Sequence, residues 1–206
     1  RINLESLRHR NIEGILTERQ QAVRPAVIEF KECDLPADTE ELTDLAQDYL
    51  IKRGIMLDYP FLSKKGPRTG IVVPFTYDGQ IVGHTTRFLD DRTPKYIQDI
   101  QPGYVFGTDL QKDAWQSVIV VEGVFDALSI NGAAVLHADI NEAQARLIKG
   151  LEREVVVVPD QDLPGMRLVE RAVELGWSVS MPEWPAGIKD VNDAVICMGR
   201  LATLLT

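Results

Sequence analysis

Acidic residues gather at three points of this 206-residue chain, each just past an apolar run. Glu122-Gly-Val-Phe-Asp126 follows Ser117-Val-Ile-Val-Val121; Asp160 and Asp162 follow Glu154-Val-Val-Val-Val158; Asp190 and Asp193 lie past Trp177-Ser-Val-Ser-Met181. Carboxylates grouped in this way suit a hard divalent cation, which takes oxygen ligands and usually only one or two protein carboxylates per ion. The chemistry that follows is phosphoryl transfer, in which the cation offsets charge on phosphate oxygens. Two acids at i and i+2 repel each other and need water or a cation nearby. One such pair is equally well explained as helix capping, because acids at a helix start satisfy free N–H groups and favour the dipole. Three clusters at equivalent places outweigh that reading.

The elements that position these acids are legible around them. Short, continuous, β-branched runs fit strands buried on both faces, as in a parallel sheet. Each is followed by a helical stretch: Val124 to Asn131, Pro164 to Gly176, and from the third cluster to about Leu205. Repeated strand, turn and helix predicts an open, mostly parallel α/β sheet with right-handed crossovers. Ligands bind such sheets outside the carboxyl ends of the strands, where the acids lie. Gly123 and Gly165 permit close backbone approach at the turns. A further strand, Ala133 to Leu136, ends at His137 on the same edge, and Asp139 with Glu142 reads as a capping pair for the next helix. Upstream, Asp38 to Arg53 predicts an amphipathic helix with Leu42, Leu45, Ala46, Tyr49 and Leu50 on one face and Gly54 as its stop. Ile71 to Phe75 and Gln80 to Phe88 flank Tyr77-Asp-Gly79, a hairpin signal, so this half is partly antiparallel. Residues 1 to 36 are poorly patterned, mix Arg8, Arg10, Arg19 and Arg24 with two prolines, and are expected to wrap the domain or link it upstream.

The strings Val121-Glu-Gly-Val-Phe-Asp-Ala127, Asp160-Gln-Asp-Leu-Pro-Gly165 and Lys189-Asp-Val-Asn-Asp193 resemble the Toprim domain. That domain is shared by DnaG-type primases, topoisomerases, some nucleases and recombination mediators, so the fold alone does not fix the activity. Thr69 to Arg87, Pro94-Lys-Tyr96 and Val105-Phe-Gly107 are similar to the smaller α+β, basic subdomain that precedes Toprim in bacterial and bacteriophage primases. The resemblance covers roughly residues 50 to 205. It implies Glu122, Asp160 and Asp162 as catalytic residues, with Mg²⁺ or Mn²⁺ held among Glu122, Asp160, Asp162, Asp190 and Asp193. It also implies Arg87, Lys95, Tyr96 and Lys189 as contacts to nucleic acid or nucleotide. The activity implied is synthesis of short RNA primers from NTPs on a single-stranded DNA template, beside a replicative helicase that is fused or separate. Glu122 is then either general base or organiser of the metal site. A Toprim nuclease or topoisomerase-like cleaver would use the same edge, and a non-catalytic single-stranded nucleic-acid-binding module would keep only the basic face. None of the five tyrosines has a recognisable nucleophile context. Two departures stand out: Pro164 where the family commonly has alanine, and Asp190 followed by Asn192 and then Asp193 where the family has acids two apart. Either Asn192 or Asp193 takes the metal-proximal role.

Composition frames the site. The net charge of −9 argues against a polyanionic partner, but its distribution is uneven. Residues 64–95 carry six Lys or Arg and three Asp, whereas residues 113–206 carry seven Lys or Arg and fourteen Asp or Glu. The basic stretch 64–95, within a first subdomain of residues 1–112, is thus expected to face an acidic, metal-binding subdomain, 113–206. Cys33 and Cys197 lack disulfide or metal spacing and read as reduced thiols. No apolar run reaches membrane-span length and no signal pattern opens the chain, which leaves a cytoplasmic setting and no membrane partner as the expectation. Arg1 in place of methionine predicts an excised fragment. His84, Trp177 and Trp184 read as structural, and Tyr96 serves either the basic surface or the core beneath it.

Overall fold

A computed structural model describes residues 28–206. The arginines at 8, 10, 19 and 24 lie outside the described residues. Two sheets organise the rest. The first is antiparallel, in the order β1 (Thr39–Glu40), β2 (Leu62–Lys64), β3 (Gly70–Tyr77), β4 (Gln80–Phe88), β5 (Tyr96–Asp99). Its centre is the expected hairpin, closed by Tyr77 opposite Gln80 through Asp78 and Gly79. Both turn residues have positive φ, 51° and 76°, the twist that a two-residue hairpin requires.

The second sheet is wholly parallel and runs β7 (Ala133–Ala134), β6 (Ser117–Val121), β8 (Glu154–Val157), β9 (Ser178–Val179). From β6 the chain passes through helix α2 (Val124–Ile130) to β7 on one side. It then returns through α3 (Glu142–Lys149) to β8 on the other side, and through α4 (Gly165–Glu174) to β9. The connections leaving β6 and β8 therefore part in opposite directions, and a crevice opens where they separate. Among the described residues each outer strand is short: two residues in β1, β7 and β9, four in β5.

The β-branched runs behave as a parallel sheet demands. Val118 and Val120 of β6 face one apolar cluster with Ile148, Val155, Val157 and Leu168. Val121 faces another, in which Ile71, Val73 and Phe75 of β3 meet Val124, Phe125 and Leu128 of α2. This second core belongs to both sheets. Phe106 joins them further, since its backbone exchanges hydrogen bonds of 2.8 and 2.9 Å with Ala134 of β7. Trp184 packs against the shared core and Trp177 against the other.

Three expected boundaries are corrected. Helix α1 spans Asp44–Lys52 rather than starting at Asp38, because Thr39 and Glu40 pair with β2 and the Thr43 N–H donates to Ser63 Oγ at 2.9 Å. Leu45, expected on its apolar face, is 59% exposed. The last helix is two, α5 (Val191–Met198) and α6 (Arg200–Leu205), broken by Gly199 at φ 83°. Helix α3 is capped not by Asp139 and Glu142 but by Asn141 and Gln144 in a capping box. No helix among the described residues is long and apolar enough to cross a membrane.

Candidate active site

Glu122 is the first residue past β6, and Gly123 after it caps α2. The glycine leaves room for that helix's acid: a Cβ there would meet Asp126 Oδ2 at 2.4 Å and force the side chain to shift. Asp126 is buried in the first turn of α2, where its Oδ1 accepts the Asn192 N–H at 2.8 Å. From β8 the chain reaches Asp160, whose N–H donates to Glu122 Oε1 at 3.1 Å and ties the two strand ends together. Gly165 is more tightly constrained, since a Cβ would stand 2.1 Å from the Asp160 carbonyl oxygen and 3.1 Å from Glu122 Oε1. The third acidic loop is hung on the second by Gln161 N–H donating to the Lys189 carbonyl at 2.7 Å. Asp190 then caps α5, its Oδ1 accepting the Asp193 N–H at 2.7 Å.

Crowding of these acids sets their charge state. Burial, then the neighbouring Glu122, Asp190 and Asp162, pushes the Asp160 carboxyl up to about 7. Burial also raises Glu122, partly offset by the Asp160 N–H, and Asp162 raises it further. Burial and the Asp190 charge hold Asp126 well above the usual carboxylate range, and burial lifts Asp190 too. The donor set fits a divalent cation: all oxygen, several carboxylates on one edge, and mutual repulsion that positive charge would relieve. Among the described residues no three His, Cys, Asp or Glu side chains are already gathered at ligand spacing.

Facing this edge is a wall built from β4, β5 and α1. The Arg87 guanidinium lies 4.7 Å from the centre of the Tyr96 ring, and its Nε donates to the Tyr49 hydroxyl at 3.2 Å. Tyr49 and Tyr96 both pack on Phe125, each with centroids 6.3 Å away, so the wall rests directly on α2. Edge and wall enclose a cleft of about 510 Å³.

Of the residues expected from sequence, Glu122, Asp160, Asp190, Asp193, Arg87, Tyr96 and Lys189 line this cleft. Two do not. Asp162 is exposed and holds the Gly165 N–H at 3.0 Å, and the Lys95 ammonium is turned to Asp91 at 3.2 Å and to the Asp90 carbonyl at 3.1 Å. Asn192 is buried and committed to Arg53, so Asp193, not Asn192, lies at the cleft. Tyr96 is 41% exposed, which places it on the surface rather than in the core. His137 also lines the cleft, whereas His84 sits outside it with its Nδ1 buried and unpartnered among the described residues. Arg53 was missed, and Asp126 was read only as part of the first acidic cluster, with no role of its own. Asp126 lies in the first acidic string, but its burial depends on α5; Arg53 is 139 residues from the Asn192 side chain it contacts.

The expected basic face is also thinner than its composition. Lys64 and Lys65 pair with Asp38 and Glu40, Arg68 and Arg92 share Asp90, and Lys95 takes Asp91. Among the described residues Arg87 alone of the six enters no ion pair, and it is the one in the cleft.

Residues 119–195 match the family described as Toprim-like. A DNA primase of Clostridium acetobutylicum is 28% identical over 154 residues, covering 66% of this chain and 26% of its own length. The primase fragment of the bacteriophage T7 primase-helicase protein superposes with TM-score 0.58 at 18% identity, covering 91% of this chain and 84% of that one. A DnaG primase catalytic domain bound to ssDNA gives TM-score 0.54 at 19% identity, covering 79% of this chain and 58% of that one. The chain thus spans about a quarter of the curated relative it matches.

Proposed function

We propose that this chain, with a Toprim-like segment at residues 119–195, is the catalytic part of a DNA primase that makes short RNA primers from NTPs on a single-stranded DNA template. One observation carries the reading: Glu122 and Asp160, past the carboxyl ends of parallel strands, and Asp190, at the start of α5, open into the same cleft as Arg87 and Tyr96. The division of labour falls between residues 1–112 and 113–206. Glu122, Asp160 and Asp190, with Asp126 behind them and Asp193 at the rim, would hold Mg²⁺ or Mn²⁺, which when bound supplies charge neutralisation for a triphosphate and activation of a 3′-hydroxyl. Asp162 orders the loop that carries Asp160, and Lys95 fixes the turn before β5.

The remaining roles follow from side-chain chemistry. Arg87 offers a fixed fork of donors to phosphate, backed by the Tyr96 ring and oriented by Tyr49. Lys189 adds a positive charge from the acidic edge. Tyr96 presents an aromatic face on which a base can stack, an interaction worth about 1–3 kcal/mol. With Glu122 tied to the Asp160 N–H, its carboxylate is oriented before substrate arrives, which favours a role as site organiser. The relative from bacteriophage T7 is a primase-helicase protein, and a helicase partner is part of the same proposal.

Incubation with single-stranded DNA, four ribonucleotides and Mg²⁺ tests the reading. Labelled oligoribonucleotides are expected. Shortened template would assign the cleft to strand cleavage, and retention of template without either product would reduce the chain to a binding module.

A further inference from the structure

Asn192 stands where the third acidic cluster breaks its pattern, two residues past Asp190. It is 1% exposed and faces away from solvent. Its Oδ1 accepts from Arg53 Nη1 at 2.7 Å, and its Nδ2 donates to the Arg53 carbonyl oxygen at 2.8 Å. Its backbone N–H is the donor to Asp126 Oδ1 at 2.8 Å. One residue thus fastens three parts of the cleft: the C-terminal cap of α1, the start of α5 and the buried acid of α2. Arg53 lines the cleft itself and lies 5.6 Å from the centre of the Tyr49 ring, so the clasp reaches the wall that carries Arg87.

Only a carboxamide of this length satisfies both halves of Arg53 at once. A carboxylate at position 192 would keep the guanidinium contact but set an oxygen against the Arg53 carbonyl, with no proton between them. Alanine would leave a guanidinium nitrogen and a carbonyl without their partner. Asparagine here therefore supplies a donor that an acid at the same position would lack.

We infer that Asn192 is a positioning residue: through Arg53 and Asp126 it fixes the acidic edge of the cleft against the aromatic wall, and it offers no ligand of its own. The inference rests on the reading of the cleft as a cation and triphosphate site. Its test is Mn²⁺ binding to the folded chain, followed by electron paramagnetic resonance, together with primer synthesis, for N192A, N192D, R53A and the N192A/R53A pair. N192A and N192D should each weaken Mn²⁺ binding about tenfold and lower kcat comparably, with KM for NTP within about twofold, as loss of a group that orients ligands does. The double variant should bind Mn²⁺ no more weakly than the worse single variant, because both act through one clasp. N192D binding Mn²⁺ as tightly as the parent, or tighter, would overturn the inference by placing residue 192 among the ligands. N192A that melts earlier but binds Mn²⁺ normally would reduce the clasp to a fold contact and also overturn it. A parent chain that binds Mn²⁺ but makes no primers sinks only the primase reading, and the binding cycle still decides the role of Asn192. A parent that binds no Mn²⁺ overturns both.

Discussion

At Asp160 three acidic neighbours and partial burial act on one carboxyl, and the sign of their effect is opposite to that of an ordinary salt-bridged aspartate. Its value of about 7 lies above that of the unfolded chain, so the folded protein holds a proton through the window from about pH 4 to pH 7 that the unfolded chain has lost. Stability without metal should therefore fall as pH rises through that window. Asp160→Asn should flatten the slope and raise stability near pH 7.5 by on the order of 1–2 kcal/mol after allowance for solvent access, about 2–6 °C in Tm. Thermal melts at pH 5 and pH 7.5 in chelator check this. The same substitution should remove Mg²⁺-dependent synthesis, by about a hundredfold or more, while circular dichroism stays unchanged. Cation affinity should rise with pH up to about 8, because protons and metal compete for Glu122 and Asp160; calorimetric titration at pH 6 and pH 8 measures it. Most of these residues were legible in the sequence because acids at strand ends announce themselves by type and spacing. Arg53 was not, nor was the buried place of Asp126 within its cluster, since what commits them is burial and a contact between distant segments.

Loops at the strand ends carry the geometry. Gly165 has no room for a side chain, and the obstacle is the Asp160 backbone, which cannot swing aside. Gly165→Ala should displace the loop, lowering activity about tenfold or more, as small misplacements of reacting groups do. A parallel Gly176→Ala control meets no atom within 4 Å, but its φ of 72° should cost about 1 kcal/mol of stability, with activity kept. Comparison of primer yield and Tm for the two separates crowding from backbone strain. Leu168 of α4 is fully buried between helix and sheet, and Leu168→Ala should cost about 2–5 kcal/mol in urea unfolding. The strands and the helices after them were readable because short, continuous Val and Ile runs bounded by turn residues suit strands of a parallel sheet. The start of α1 was not, because Thr39 and Glu40 are drawn into pairing with β2, a tertiary choice that overrides helical periodicity. The cap of α3 was misplaced for a local reason: Asn141 and Gln144 satisfy the same rule two residues further on.

Across the whole molecule the two sheets share an apolar core, with Phe75, Tyr104 and Phe106 on one side and Phe125 and Leu128 on the other. Calorimetry should accordingly record one unfolding transition rather than two. Phe106→Ala should lower that transition as a unit, by about 3–5 kcal/mol, without splitting it; separate melting of the two halves would contradict the shared core. The charge asymmetry expected from composition is a weaker guide at this scale, because pairing consumes nearly all of the basic stretch and leaves Arg87 to act in the cleft. The tapering of both sheets has a consequence of another kind. A long outer strand is a ready template for a neighbouring molecule, but among the described residues the outermost strands run for only two to four residues. Copies meeting along these described outer strands would find little length to zip together, so strand length itself disfavours fibrous aggregation there.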